Sequence, residues 1–250
     1  MEKTDSKMVK YGLVGRGISY SFSREYFTRK FRELGLENHV YHNYDLEDIG
    51  EFPDVLNNNP GLRGLNVTIP YKEAVIPYLH HMHADAEKVG AVNTIRITKE
   101  GLTGYNTDVY GFRLALESQL LPEDRYALIL GTGGASKAVA YVLRELQIGF
   151  TFVSRTPGPG QLGYGALDPE IMSTHTLIIN TTPLGTYPGV DEKPPVPYKE
   201  LTAAHFLFDL IYNPGKTAFL REGEQAGARI ANGLDMLEKQ AEKAWEIWNS

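Results

Sequence analysis

The sequence predicts two α/β lobes, and three observations carry that prediction. Short apolar runs at 11–14, 40–44 and 64–69 alternate with a helix-like pattern in the first half of the chain. A second series, at 126–130, 150–153, 176–180 and 205–210, alternates in the same way after a glycine-rich turn. The last segment places Leu234, Leu237, Ala241, Ala244, Trp245 and Trp248 on one stripe of an amphipathic helix. Strand alternating with helix favours a parallel sheet, because each crossover needs an element to cover the sheet face.

In order, Tyr11–Val14 is a short strand that enters Gly15-Arg16-Gly17 and then a helix with apolar spacing from Phe22 to Leu34. Val40–Tyr44 is a second strand, and Gly64–Ile69 a third that stops at Pro70, with a helix beginning near Tyr71. Ala91–Ile97 and Leu102–Tyr105 flank Lys99-Glu100-Gly101 as a hairpin. From Asp108 a helix carries Phe112, Leu116 and Leu120 up to Pro122. Tyr126–Leu130 is the apolar strand that enters Gly131-Thr132-Gly133-Gly134, and Lys137–Leu146 is helical. Thr156–Gly165 reads as a short Gly/Pro loop and Thr182–Pro197, with five prolines, as a longer one. Asn232 is placed to cap the last helix, where Gln240 falls on or beside the buried stripe. There its amide meets either a ligand or the local backbone.

Composition sets bounds on function. The 250 residues suffice for an ordinary core, and hydrophobic residues at 42% with charged residues at 22% fit a globular chain. A net charge of -6 without a Lys/Arg run argues against nucleic-acid and anionic-membrane partners. The absence of cysteine removes disulfides, thiolate nucleophiles and Cys-ligated zinc. The polar start Met1–Lys10 lacks a signal-peptide core and no run of eighteen apolar residues occurs, so a cytoplasmic location is expected.

A strand, Gly131-Thr132-Gly133-Gly134-Ala135 and a helix form a phosphate site in physical terms. Glycine lets the backbone approach a pyrophosphate, and the helix end presents unpaired N–H groups. Ser136 stands where the common dinucleotide fingerprint has its third glycine. About 20 residues further on, where an acidic side chain would select NAD, stands Ser154-Arg155-Thr156. A guanidinium and two hydroxyls suit the 2'-phosphate of NADP, and no carboxylate repels it. This lobe is therefore expected to be Rossmann-like. Gly215-Lys216-Thr217 resembles the end of a Walker A loop but has Leu210 at the required earlier glycine. His80, His81 and His83 cannot all converge on one metal, so no metal is expected and a solvated helix end is the simpler reading.

Carbonyl reduction also needs a donor where negative charge develops. Lys72, at a strand-to-helix junction, and Asp108, at a strand-to-loop boundary, are the candidates. Asp108 would orient the ammonium while Lys72 stabilises the oxyanion and relays the proton, which of the two transfers it directly being left open.

The ordered motifs Asn66-Val67-Thr68-Ile69-Pro70-Tyr71-Lys72, Gly90-Ala91-Val92-Asn93-Thr94, Asn106-Thr107-Asp108, Asn180-Thr181-Thr182-Pro183, Asp209-Leu210-Ile211-Tyr212 and Asn232-Gly233-Leu234-Asp235-Met236-Leu237 with Gln240 resemble the shikimate dehydrogenase family over almost the whole chain. The resemblance implies reversible reduction of 3-dehydroshikimate to shikimate by NADPH, with Lys72 and Asp108 catalytic. It implies that Ser21 and Ser23 hold the substrate carboxylate, that Thr68 touches substrate, that Asn93 and Asp108 bind ring hydroxyls, and that Tyr212 and Gln240 reach substrate. For the cofactor it implies the loop Gly131 to Ala135, the phosphate site Ser154-Arg155-Thr156, and Asn180, Thr181, Leu210 and Gly233. The sequence departs from the family pattern at Arg24, Val109 and Pro157-Gly158-Pro159, the last replacing a second basic residue.

The expected organisation is a substrate-binding domain of residues 1–108 and 232–250, a NADP-binding domain of 109–231, and a C-terminal helix returning to the first domain. A monomer or homodimer acting on a small hydroxylated acid is expected. The alternatives are a quinate/shikimate dehydrogenase using NAD and a non-catalytic shikimate-sensing regulator, against which the intact Lys72 and Asp108 argue.

Overall fold

The computed structural model describes residues 8–18 and 21–250. Most of the polar amino-terminal run lies outside the described residues, as do positions 19 and 20. The chain divides into two units, Met1–Thr107 with Ala241–Ser250, and Asp108–Gln240.

The first unit is built on a six-stranded mixed sheet. Its strands are β1 (Val9–Gly15), β2 (His39–Asp45), β3 (Leu62–Val67), β4 (His81–Met82), β5 (Thr94–Thr98) and β6 (Gly101–Tyr105), in the order β2-β1-β3-β5-β6-β4. β1 pairs in parallel with β2 and β3, whereas β5 runs antiparallel to both β3 and β6. The β5–β6 hairpin closes Thr98 on Gly101, so its turn is Lys99-Glu100. α1 (Phe22–Glu33) buries Tyr26, Phe27 and Phe31, the i, i+1, i+5 face expected of one helical stripe. α2 (Phe52–Asn57) and α3 (Ala84–Val89) complete this unit apart from its last helix.

The second unit is a doubly wound sheet. β7 (Tyr126–Leu130), β8 (Gly149–Ser154), β9 (Leu162–Gly163), β10 (Leu177–Asn180), β11 (Phe206–Asp209) and β12 (Arg229–Ala231) are all parallel, in the order β12-β11-β10-β7-β8-β9. Ala127–Leu130, Leu177–Asn180 and Phe206–Asp209 are buried without interruption, as central parallel strands covered on both faces must be. The helices are α4 (Thr107–Glu117), which begins at the unit boundary, α5 (Gly134–Glu145), α6 (Pro169–Thr174) and α7 (Ala218–Gln225). The strand order is that of a Rossmann fold, and it reverses between β7 and β10, where such sheets bind ligands at their carboxyl ends.

The last helix, α8 (Leu234–Trp248), belongs to the first unit from Ala241 onward. There Trp248 stacks on Tyr11 with ring centroids 4.9 Å apart, packs against Phe27, and donates its indole N–H to the Ile95 carbonyl at 3.0 Å. This anchors the returning helix through both burial and a satisfied polar tip.

Several local expectations are corrected. No α-helix starts near Tyr71. Val75 N donates to the Tyr71 carbonyl, but the chain then passes into a 3-10 turn at Ile76–Tyr78. Pro77 has no N–H to give the Glu73 carbonyl, which ends the helical ladder before it forms. α4 stops at Glu117, short of Leu120. Leu234 is exposed and Met236 takes its place on the buried face of α8. Asn232 still serves the helix start, its side-chain oxygen accepting from Leu234 N at 3.1 Å. The short elements β4, β9, β12, α2, α3, α6 and α7 have too few residues to display a period. His81 lies in β4, His80 accepts from Leu102 N, and His83 caps α3. Among the described residues no helix is long and apolar enough to cross a membrane.

Candidate active site

In the first unit the candidate substrate residues lie at the carboxyl ends of β1 and β3 and at the loops that adjoin them. Ser21 ends the approach to α1 with extended backbone and accepts from Arg24 N at 3.4 Å, an N-cap. Ser23, in the first turn, shares a hydrogen bond with the buried phenol of Tyr41. Burial drives that phenol well above its ordinary range, so it stays protonated and donates to Asn66 Oδ1 at 2.8 Å.

Asn66 extends the connection. Its amide donates to the Asn93 carbonyl at 3.3 Å and to Thr94 Oγ1 at 3.2 Å. Asn93, 3% exposed, accepts on Oδ1 from Thr107 N at 2.7 Å and from the hydroxyls of Thr94 and Thr107. The orientation of the Asn93 amide is therefore fixed by protein groups. Thr68 N donates to the Val14 carbonyl at 2.9 Å, which carries the strand pairing one residue past β3. Lys72 is half-buried, and its carbonyl accepts from Val92 N at 2.7 Å, tying the lysine-bearing turn to the segment that contains Asn93. A chain of neutral side chains thus joins Ser23, Tyr41, Asn66, Thr94, Asn93 and Thr107.

The second unit holds Asp108, Tyr212 and Gln240 with the whole candidate cofactor set. Asp108 is buried in the first turn of α4, one peptide bond after Thr107. Tyr212 and Gln240 are half-buried.

Around the turn after β7 the geometry fits a dinucleotide pyrophosphate. Gly131 has φ +106°, a conformation that side chains rarely adopt, and a Cβ there would meet Thr181 Oγ1 at 2.8 Å. Gly133 caps α5, and a Cβ there would meet nothing within 4 Å. The backbone can accordingly be approached closely in front of a 12-residue helix. Ser136 is buried and donates its hydroxyl to the Gly133 carbonyl at 2.6 Å, so the residue in the third fingerprint position closes the first turn. Thr132 is exposed and Ala135 half-buried beside them.

Arg155 and Thr156 are exposed at the carboxyl end of β8, next to β7, and Gly131 N donates to the Val153 carbonyl at 2.9 Å. Ser154 Oγ accepts from Thr156 N and donates to the Thr156 carbonyl. Arg155 lies near enough to Tyr164 for its charge to lower that phenol, although burial is the larger influence and raises it. Thr181 donates both its N–H and its hydroxyl to the Leu130 carbonyl, at 3.0 and 2.7 Å, fastening the end of β10 to the end of β7. Gly233 N donates to the Ile211 carbonyl at 3.0 Å, and a Cβ at Gly233 would fall 2.0 Å from the Leu210 carbonyl oxygen. Only glycine fits there.

Sequence reasoning missed Tyr41 and gave Asn66, Thr94 and Asp209 only as parts of motifs. Tyr41 and Thr94 sit inside ordinary-looking strands, where no spacing distinguishes a network member from a core residue. Asn180 is fully buried, with its amide committed to Thr182, Leu184 and Asp209, so its side chain holds a loop.

The family model described as the shikimate dehydrogenase substrate binding domain matches residues 13–95. The NADP(+) shikimate dehydrogenase of Methanococcus aeolicus is 36% identical over 98% of this chain and 93% of its own. Shikimate 5-dehydrogenase from Thermus thermophilus, solved with NADP(H) and shikimate, is 31% identical with TM-score 0.85, covering 96% of this chain and 93% of that one. Quinate dehydrogenase from Corynebacterium glutamicum, solved with NAD, is 26% identical with TM-score 0.84, covering 97% and 94%.

Proposed function

The chain belongs to the shikimate dehydrogenase family, and from that premise we propose that it catalyses the reversible reduction of 3-dehydroshikimate to shikimate with NADPH. The observation that carries this reading is one chain holding both the Asn66–Lys72 turn and a Rossmann sheet whose Gly131–Gly134 loop precedes α5. The unit containing Lys72 serves as the substrate domain and the unit containing Arg155 as the NADP domain. The chain acts in the cytoplasm as a monomer or homodimer.

NADPH, when bound, supplies the hydride. The remaining chemistry falls to side chains of this protein. As the ketone carbon accepts hydride, its oxygen becomes an alkoxide, and the Lys72 ammonium donates a hydrogen bond and then a proton to it. Asp108 accepts a hydrogen bond from a ring hydroxyl of the substrate and, with Lys72, makes up the catalytic pair. Ser21 and Ser23 bind the substrate carboxylate, Thr68 and Asn93 its hydroxyls, and Tyr212 and Gln240 also reach the substrate. Hydroxyls and amides suit this ligand because it is dense in oxygen.

For the cofactor, Gly131, Thr132, Gly133, Gly134 and Ala135 cradle the pyrophosphate against the start of α5. Arg155 pairs with the 2'-phosphate, aided by Ser154 and Thr156. Thr181, Leu210 and Gly233 lie along the nicotinamide half, and Asn180 keeps that loop in place. Following absorbance at the reduced nicotinamide while offering shikimate with NADP+ tests the reading, and absence of turnover would reject it.

The similarity to a quinate dehydrogenase bound to NAD favours one second reading, a quinate/shikimate enzyme using NAD. Turnover of both acids with both cofactors separates the two. Efficient quinate oxidation with NAD alone would select the second.

A further inference from the structure

Asp209 is the last residue of β11 and is wholly buried, yet no cation pairs with it among the described residues. Its carboxylate instead accepts from three neutral donors on three segments. These are Asn180 Nδ2 at 3.0 Å, Ile211 N at 3.1 Å and Thr217 Oγ1 at 2.6 Å. A buried carboxylate without a countercharge is costly, and burial pushes this one up to about 6 against the pull of those three donors. A neutral side chain could fill the same volume at less cost, so the charge needs a reason in what the three donors hold.

Each donor anchors a stretch of backbone at the carboxyl edge of the second sheet. Asn180 turns its oxygen to Thr182 N at 3.0 Å and Thr182 Oγ1 at 2.7 Å, which sets the turn that carries Thr181 and Thr182. Ile211 is the centre of Leu210-Ile211-Tyr212, and its carbonyl accepts from Gly233 N. Thr217 caps α7 by accepting from Leu220 N at 3.3 Å. The Thr217 side chain also supports Gly185, where an added Cβ would sit 3.4 Å from Thr217 Cβ. One carboxylate therefore clamps the 180–185 turn, the 210–212 segment and the start of α7 together.

We infer that Asp209 is a positioning residue for hydride transfer, holding the 180–185 turn and the 210–212 segment in one arrangement along the nicotinamide half of the cofactor. The inference rests on the proposed function, because that reading places Thr181, Leu210 and Gly233 beside the nicotinamide. The adenosine end depends on Arg155 and the Gly131–Gly134 loop, which Asp209 does not touch. Its loss should impair the chemical step far more than cofactor affinity.

The test compares Asp209→Asn, Thr217→Val and Thr217→Ser with the parent protein. Steady-state turnover of shikimate with NADP+, NADP+ affinity by equilibrium titration, and backbone hydrogen exchange are measured on each. Asp209→Asn and Thr217→Val should lower kcat about 10–100-fold, an effect equal to losing one or two charge-assisted hydrogen bonds, with NADP+ affinity changed less than about threefold. Exchange should accelerate at 181–185 and 210–212 while β7 and β8 keep their protection. Thr217→Ser, which retains the hydroxyl, should restore both kcat and protection.

Unchanged kcat in the two damaging variants would overturn the inference, as would a loss of protection spread evenly over β7, β8, β10 and β11. If Asp209→Asn does not fold, the Thr217→Val and Thr217→Ser pair decides by the same readouts. If the parent protein fails to turn over shikimate, the functional reading falls. The exchange pattern then decides the clamp by itself, local loosening supporting it and unaltered protection removing it.

Discussion

The two units hold their candidate sites in place by opposite means. In the first, neutral side chains do the work: Ser23, Tyr41, Asn66, Thr94, Asn93 and Thr107 form a connected set of hydroxyls and amides. In the second, the backbone does it, through the left-handed Gly131, the Gly233 that presses on the Leu210 carbonyl, and the open end of α5. Part of that backbone is fixed by one buried charge, Asp209. The difference follows from the ligands proposed for each. A ring rich in hydroxyls needs donors and acceptors at many angles, which side chains supply. A pyrophosphate needs many N–H groups converging on one anion, which a helix end supplies.

The contrast is tested most strongly at Lys72, the cationic candidate of the side-chain half. Lys72→Ala should lower kcat about 10²–10⁴-fold, the usual weight of a general acid or base. Its shikimate KM should move little, because the ammonium serves charge that develops during reaction. An unchanged kcat in a steady-state assay would remove Lys72 from the mechanism.

The fold of the first unit depends next on its returning helix. Trp248→Ala deletes a side chain stacked on Tyr11 and bonded to the Ile95 carbonyl. A loss of about 3–5 kcal/mol is expected from the cavity. Denaturant titration checks it, and a loss under about 1 kcal/mol would mean that the helix end is not an anchor.

Legibility in the sequence follows the same division between the two units. The Rossmann half was readable because its central strands are continuous apolar runs and its loop needs glycine, so fold and chemistry share one signal. The Gly131–Gly134 loop and Arg155 are read as candidates on that signal, and Lys72 and Asp108 from their places at strand ends. Tyr41 drew no role and Asp209 came only as part of a motif, because each lies in or at the end of a strand whose pattern is already explained by burial. The helix expected at Tyr71 failed for a local reason, the missing N–H of Pro77. Short strands such as β9 and β12 exist because neighbours offer them an edge, which no local window contains.

The buried charge of the second unit should show itself in pH dependence. Asp209 is pushed up to about 6 from 3.8, so its contribution to stability is fully present below 3.8 and is lost as pH rises through about 6. Between pH 4 and pH 7 the parent protein should therefore lose on the order of 2–3 kcal/mol relative to Asp209→Asn. Urea titrations of both proteins at the two pH values measure the difference. A constant gap would show that the carboxyl is not held out of its ordinary range.

A smaller effect is expected at the exposed end of the same unit. Arg155→Ala should raise the KM for NADPH about tenfold, the lower range for a hydrogen bond to a charged group at a solvated site. It should leave NADH unaffected. Equal weakening of both cofactors would mean that Arg155 does not read the phosphate, and that the Pro157-Gly158-Pro159 turn has left this chain without 2'-phosphate selectivity.

The smallest effect opposes that of Asp209 in sign and belongs to the first unit. Burial alone would raise the Glu242 carboxyl, but hydrogen bonds from Lys30 and Tyr26 and the Lys30 charge outweigh it and hold the group below its usual range. A depressed carboxyl gives stability that is present above its unfolded value and lost as pH falls through its folded value, so Glu242→Gln should cost stability at neutral pH and less in acid. The Glu242 side chain is 48% exposed, so solvent screening limits the cost to about 0.5 kcal/mol. Melting temperatures at pH 7 and pH 4 compare the variant with the parent. The same deficit at both values would assign the effect to packing against Tyr26 and not to the charge.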